Sequence, residues 1–266
     1  MHEVLISLPR SAFSPREAAR AGDVWRLFQD VAVEGSIRAG WPPERYRAEG
    51  VSFIVRSMVV RHHREAVYGE RLTGRTWPSR FRRGMFFRRE CRVRSERGPV
   101  ASATQEWVHV TAGLELARAS DALVDAFAVE SHDPPIELPA PEPVDAGRAH
   151  AFELECWHTW MDPLAHANHP AYVDWCDEAL SRAMVAEGLD PVRLAPVAER
   201  AFFRSGVVAT ERARVSTRLV GRCRAQGAAA FEHRVEVGDR LCAKVTSLRR
   251  LHGEGEGDES ALLALG

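Results

Sequence analysis

Apolar residues recur along the chain with two periods, and their order repeats. Phe152, Leu154, Cys156, His158 and Trp160 alternate with Glu153, Glu155, Trp157 and Thr159, the period-2 pattern of a half-buried strand. Tyr172, Trp175, Cys176, Ala179, Leu180, Ala183 and Met184 then return every three or four residues. That spacing predicts one long amphipathic helix, with Gly188 placed to cap its C-terminus. Strand patterns separated by turn residues follow. The first half runs in the same order: a short strand pattern, a helix begun by Trp25, Phe28 and Ala32 and ending near Gly40, then further strands. Sliding the halves so that Val67 meets Val208 also brings Gly98-Pro-Val-Ala101 over Asp239-Arg-Leu-Cys242, so a duplication is expected. Strands that follow one another without an intervening helix predict antiparallel sheet, with the one long helix of each repeat packed on a sheet face.

Between Glu130 and Arg148, Pro134, Pro135, Pro139, Pro141 and Pro143 stand among polar residues. Proline fixes φ and removes a ladder donor, so this stretch reads as a linker. The expected division is a repeat over 1–130, a linker over 131–148, a second repeat over 149–252 and a flexible tail over 253–266, where glycines alternate with acidic residues. At 266 residues, 45% hydrophobic and 27% charged, the chain can fill one large core or two modest ones, which excludes disorder, collagen and coiled coil. Lys+Arg 36 against Asp+Glu 37 leaves a formal charge of −1 and speaks against general nucleic-acid binding. No apolar run reaches the ~20 residues of a membrane span. The opening MHEVLISLPRSAF lacks a basic segment before a continuous apolar one, so a cytoplasmic location is expected. Cys91, Cys156, Cys176, Cys223 and Cys242 are odd in number and never form C-x-x-C, which suggests neither a disulfide framework nor a zinc ribbon. Arg80, Arg82, Arg83, Arg88, Arg89, Arg92 and Arg94 crowd into one stretch, either as a solvated strand face or as a docking surface for an acidic partner or a phosphate.

The densest cluster of reactive side chains is His158-Thr-Trp-Met-Asp162-Pro-Leu-Ala-His166-Ala-Asn168-His169-Pro170-Ala-Tyr172, between strand pattern and helix. Pro170 suits the first turn of a helix, so an unpaired helix N-terminus begins there, with partial positive charge able to hold a developing oxyanion. Asp162, His166 and Asn168 would surround a carbonyl group placed at that terminus. These are the parts for hydrolysis of an activated acyl compound.

The string DPLAHANHPAYVDWCDEA resembles the active-site turn and central helix of hotdog-fold thioesterases. EAVYGERLTGRTWPSRF, FFRRECRV and VASATQEWVHV resemble the N-terminal repeat of acyl-ACP thioesterases. Together these matches span residues 20 to 250. The resemblance implies an α+β tandem hotdog, two curved antiparallel sheets each wrapped around a long central helix, the pair mimicking the dimer of single-hotdog enzymes. It further implies a cytoplasmic enzyme of fatty-acid metabolism that releases free acid from acyl-acyl carrier protein. Asp162 falls on the family's catalytic aspartate, His166 on the histidine of the turn and Asn168 on the asparagine after it, while His169 and Tyr172 are expected to contact substrate. Asp162 would serve as base or nucleophile, the helix start as oxyanion site. Two positions depart from the plant enzymes: Leu164 stands where they carry a catalytic asparagine, and Phe203-Arg-Ser-Gly-Val-Val208 where they carry a glutamate followed by cysteine. What survives is similar to hydroxybenzoyl-CoA thioesterases, whose Asp-Pro turn Asp162-Pro163 resembles. The first half's counterpart turn, Ser14-Pro-Arg-Glu-Ala-Ala-Arg-Ala-Gly-Asp23, lacks the constellation and is expected to be silent. That half would complete the pseudo-dimer and wall the acyl pocket with Trp25, Phe28, Phe53 and Trp77.

Other readings carry less. Asp162, His166 and His169 are metal-ligand types, but D-x3-H-x2-H across a turn matches no common metal motif, and neither metal nor cofactor is expected. His62-His63, on opposite strand faces, reads as structural. No G-x-S-x-G and no phosphate-binding glycine loop is present, and the residue pairs of hotdog hydratases are missing. The alternatives kept are an acyl-CoA thioesterase and a non-catalytic acyl-thioester-binding module. The arginine-rich strand complements acidic acyl carrier protein and equally the phosphates of coenzyme A, with carrier protein favoured by the first-half resemblance. Monomer and homodimer both fit a tandem repeat.

Overall fold

The computed structural model describes residues 1–145, 147–253 and 258–266. In chain order it contains β1 (His2–Ile6), α1 (Ala21–Arg38), α2 (Pro43–Ala48), β2 (Val51–His62), β3 (Leu72–Arg82), β4 (Phe86–Ser95), β5 (Gly98–Thr111), α3 (Asp121–Ala126) and β6 (Glu142–Pro143). There follow β7 (His150–Glu155), α4 (His169–Ala186), β8 (Leu194–Phe203), β9 (Arg212–Cys223), β10 (Ala228–Val237), β11 (Arg240–Leu251) and α5 (Asp258–Leu263). The order strand, long helix, four strands occurs twice.

All strand pairs are antiparallel, and the two expected sheets are one. The order β1-β3-β4-β5-β2-β8-β11-β10-β9-β6, with β7 also on β9, makes a single eleven-stranded sheet. β2 and β8 join the halves, Met58 lying opposite Ala201 and Val60 opposite Glu199. Each half would otherwise end in an edge strand with unpaired backbone donors and acceptors, and joining the two edges satisfies both.

α1 and α4 lie side by side against this sheet. Trp25, Phe28 and Val31 of α1 and Tyr172, Trp175, Cys176, Leu180 and Met184 of α4 are buried, which is the apolar stripe the 3.6-residue period picked out. Glycines allow the closest approaches: a Cβ on Gly74 of β3 would stand 2.4 Å from Val31, and one on Gly22 would meet the Asp174 carboxylate of α4. Across the helix pair, Arg26 forms an ion pair with Asp174. One core cluster runs through both halves, with Trp25 and Phe28 in the same body as Tyr172 and Trp175.

Three expectations need correction. The strand predicted through Trp160 stops at Glu155; His158–Trp160 form a 3-10 turn in which the rings of Trp157 and Trp160 stack at 4.9 Å, three residues apart being eclipsed in such a turn. In the tail, residues 254–257 lie outside the described residues, but α5 follows them, and Leu262 within it and Leu265 just after it are buried against Leu180, Met184 and Phe231. Trp77 does not face the helices. Gly74 and Thr76 point toward α1, so by strand alternation Trp77 points to the other face. There the linker covers it: His132 meets its ring edge-on at 5.3 Å, Arg92 lies over it at 5.1 Å, Arg92 donates to the Pro134 carbonyl, and the Ile136 N–H donates to Thr104 Oγ1 at 2.6 Å. The five cysteines are free and buried. Among the described residues no helix is long and apolar enough to cross a membrane.

Candidate active site

The turn from Met161 to Ala167 is a closed loop. Met161 and Ala167 form an isolated antiparallel bridge, the Asp162 N–H donates to the His166 carbonyl at 2.8 Å, and the Ala165 N–H donates to the Asp162 carbonyl at 3.0 Å. Ala165 takes a left-handed φ of 62°, a conformation that costs a non-glycine residue energy and persists where its surroundings dictate it. The Asp162 side chain folds back on its own turn, Oδ1 accepting the Leu164 N–H at 2.8 Å. Oδ2 has no partner among the described residues, and the side chain keeps about a fifth of its surface exposed. His166 Nδ1 stands 3.6 Å from Asp162 Oδ1, just beyond hydrogen-bond length. The turn thus pins one carboxylate oxygen and presents the other.

The start of α4 is short of backbone donors. Asn168 is its N-cap, with no side-chain cap bond. Pro170 has no N–H, and the Ala171 N–H already donates to the Asn168 carbonyl at 2.9 Å. The His169 N–H has no partner among the described residues. Two side-chain atoms here are buried and unpartnered: Asn168 Oδ1 and His169 Nε2. The His169 ring lies among Trp25 at 6.2 Å, Trp107 at 6.4 Å and Phe203 at 5.9 Å. Burial among these rings pushes its pKa down to about 3, so the imidazole stays neutral.

The residues expected to bind substrate therefore separate. Trp25 touches His169 and is held by its own N–H, which donates to Glu199 at 3.0 Å. Phe28 is fully buried one turn along α1, its carbonyl accepting from Gln105 at 3.4 Å. The Tyr172 hydroxyl oxygen accepts the Val207 N–H at 2.9 Å and the residue is 2% exposed, so it braces the loop between β8 and β9. That loop forms the wall behind His166. The Val207 carbonyl accepts the Ala167 N–H at 2.7 Å, and a Cβ on Gly206 would come within 2.7 Å of His166 Cβ. Arg240 fixes the loop through Ser205, the Gly206 carbonyl and a two-pronged pair with Glu211.

Beneath the site lies a buried ionic cluster that sequence reasoning missed. Glu199 accepts from Trp25 and His62 of the first half, and from Arg249 of the second, whose guanidinium also meets Asp177 at 2.8 Å. The Arg249 guanidinium and the hydrogen bonds from Trp25 and His62 pull the Glu199 carboxyl down to about 2 despite full burial. The only sequence signal was parity, Glu199 sharing its face of β8 with Ala201 and Phe203. Trp107 was missed as well, although its strand was recognised.

The counterpart turn of the first half has the same skeleton. Phe13 bridges Ala19, the Ser14 N–H donates to the Ala18 carbonyl, the Glu17 N–H donates to the Ser14 carbonyl, and Glu17 takes a φ of 57°. Ser14 thus occupies the place of Asp162, and Ala18 that of His166. Arg16, in the place of Leu164, forms a two-pronged pair with Glu65 and donates to the carbonyls of Val192 and Leu194. Of the arginine-rich stretch, Arg89 is buried, its guanidinium within 3.3 Å of Thr76 and Ser36 hydroxyls, and Arg88 is paired with Glu106. Arg80, Arg82, Arg83 and Arg94 remain exposed. A cleft of about 510 Å³ between Arg88 and the linker lies away from the Asp162 turn. Among the described residues no group of three His, Cys, Asp or Glu side chains is placed to hold a metal ion.

No protein-family model and no curated protein matches the chain. Solved structures do. A protein from Lactobacillus plantarum described as an oleoyl thioesterase shares the fold with a TM-score of 0.80 at 18% identity, over 95% of this chain and 96% of that one. The 12:0-ACP thioesterase from Umbellularia californica gives 0.74 at 14% identity, over 94% and 97%. An acyl-ACP thioesterase from Bacteroides thetaiotaomicron gives 0.70 at 11%, over 93% and 97%. The resemblance to acyl-ACP thioesterases read from the sequence is thus a likeness of fold along nearly the whole chain, and the architecture is a tandem hotdog.

Proposed function

We propose that this chain is a thioester hydrolase acting on acyl-acyl carrier protein, each half curling its part of the sheet about its long helix and the second half doing the chemistry. The observation that carries the reading is the Asp162 turn: a carboxylate pinned through one oxygen, open at the other, beside His166 and at the start of a buried helix. Acting as base, Asp162 takes a proton from water as the water oxygen adds to the acyl carbon. Collapse of the adduct breaks the C–S bond, and the thiolate recovers the proton, leaving acid and thiol. Acting as nucleophile, the same oxygen would add to the acyl carbon and expel the thiolate, forming an anhydride that water then opens to free acid and the Asp162 carboxylate, with one proton of the water passing to the thiolate. His166 and Asn168 shape the turn and position water, and the α4 start receives the developing negative charge. The fold shared with two acyl-ACP thioesterases supports the carrier-protein substrate, as do exposed arginines suited to an acidic partner.

The test is thiol release from a panel of acyl-ACP and acyl-CoA thioesters of several chain lengths. Wild type is expected to hydrolyse acyl-ACP, and Asp162→Ala to lose about 100- to 10,000-fold in rate while melting at an unchanged temperature. Binding of acyl thioester without release by either protein would make it a binding module.

A further inference from the structure

We propose that Arg240 is a positioning residue of this reaction, its guanidinium clamping the loop between β8 and β9 in the shape that keeps His166 and the Asp162 turn in place. The inference rests on the thioesterase reading and concerns how the working turn is held.

The loop fastens the segment that carries Asp162 at both ends. Ahead of the turn, the Cys156 N–H donates to the Glu211 carbonyl at 2.8 Å and the Thr210 N–H to the Cys156 carbonyl at 2.7 Å. Behind it, the Ala167 N–H donates to the Val207 carbonyl at 2.7 Å, and a Cβ on Gly206 would stand 2.8 Å from His166 Cδ2. The loop is itself under strain. Thr210 takes a left-handed φ of 71°, which costs a β-branched residue energy and persists only where neighbouring contacts impose it. Arg240, at the start of β11, supplies such contacts. One of its guanidinium nitrogens donates to Ser205 Oγ and to the Gly206 carbonyl, each at 2.6 Å, and the other to both Glu211 oxygens at 2.7 and 2.8 Å. Glu211 Oε2 also accepts the Val208 N–H at 2.9 Å. One planar fork thus joins residues 205, 206 and 211, which a single ammonium cannot span.

The first half makes the same contact with a different residue. There Glu70 stands in the place of Glu211 and accepts the Val67 N–H at 3.2 Å, and its partner Arg64 also donates to the Glu65 carbonyl at 3.1 Å. Arg64 corresponds to Ser205, whereas Pro99, over which Arg240 falls in the repeat, carries no such group. Each half thus brings a guanidinium to the same glutamate and the same carbonyl from a different point in the chain, so the contact recurs although the residue does not. With the side chains of Arg240 and Glu211 38% and 28% exposed, the pair adds little to the stability of the whole fold. Its effect is on the loop, and through the loop on turnover.

The experiment compares wild type with Arg240→Gln, which removes the fork, and Arg240→Lys, which keeps the charge without it. Arg240→Gln is expected to lower kcat about 10- to 100-fold with KM within about threefold, misplacement by about 1 Å being enough, and Arg240→Lys to stay within about threefold of Arg240→Gln. Hydrogen exchange in Arg240→Gln should quicken at the Ala167 amide and keep its wild-type rate at the Leu180 amide inside α4, whereas a general loss of stability would quicken both. A kcat for Arg240→Gln within threefold of wild type overturns the inference. So does a loss carried by KM, equal quickening at both amides, or recovery in Arg240→Lys, which would make charge and not the clamp the cause. Should Arg240→Gln fail to melt cooperatively, Glu211→Gln, which weakens the clamp from its other end, must show the same fall in kcat. If wild type releases no thiol from any thioester, the hydrolase reading itself falls; if it does and Arg240→Gln matches it, only the role of Arg240 falls.

Discussion

At the scale of single residues, the site side of the molecule is built from groups whose protonation is settled by burial. His169 and His233 illustrate this. His233 is fully buried between the hydroxyls of Thr217 and Ser247, each at 2.8 Å, and burial pushes its pKa down to about 3. In the unfolded chain these rings take up a proton below about pH 6.5, whereas in the folded chain they resist it until about pH 3. Their stabilisation is therefore complete above pH 6.5 and lost as the pH falls toward 3. Each such ring should account for about 2 kcal/mol between pH 6.5 and 5. Urea unfolding should show a lower midpoint at pH 5 than at pH 7, with part of the difference removed in His233→Gln, which retains hydrogen-bonding ability but cannot titrate. A midpoint equally pH-dependent in wild type and variant would contradict this account.

At the scale of elements, the unit that matters is a tight turn feeding a long helix, backed by a loop from elsewhere in the sheet. The same turn occurs twice with the same hydrogen bonds, so its skeleton belongs to the repeat and its chemistry to the residues placed on it. One copy carries Ser14 and Ala18 where the other carries Asp162 and His166. The backing loop differs too: the Ala66 carbonyl, which accepts the Ala19 N–H, does in the first half what the Val207 carbonyl does in the second, and the preceding residues are Glu65 and Gly206. Glu65 fills the first copy through its pair with Arg16, while Gly206 leaves room for the His166 ring. Gly206→Ala should therefore push His166 aside without unfolding the protein. Its kcat is expected to fall about 10- to 100-fold, misplacement by about 1 Å being enough for such a loss, with a melting temperature within a few degrees of wild type. Unchanged turnover would show that the His166 position is not critical.

At the scale of the whole molecule, joining of β2 to β8 converts two repeats into one body. The ionic cluster on Glu199 sits at that seam, drawing Trp25 and His62 from one half and Arg249 and Asp177 through it from the other. The outer face of the first half carries Arg80 and Arg82 in the open, with Arg82 and Arg56 flanking Phe86. If carrier protein docks there, Arg80→Glu with Arg82→Glu should raise KM for acyl-ACP about tenfold or more. A short N-acetylcysteamine thioester, lacking the carrier, should be hydrolysed as before, and the acyl-ACP effect should shrink at high salt. Equal effects on both substrates would remove this face from consideration as the docking surface.

Much of this was legible in the sequence because it is local. The helix period marked the buried stripes of α1 and α4, strand alternation marked the sheet, Pro170 marked a helix start, and the Asp162-to-Tyr172 string marked the turn that feeds it. Periodicity reports which way a side chain points relative to its neighbours, and short motifs report turns that hydrogen-bond to themselves. It does not report which element covers a face or which edge meets which. Trp77 was therefore assigned to the pocket when the linker covers it, and two sheets were expected where β2 and β8 make one. The unpartnered Nε2 of His169 and the cluster on Glu199 depend on contacts between residues far apart in the chain. Such contacts are set by the packing of the halves against each other, and only the tertiary structure decides them.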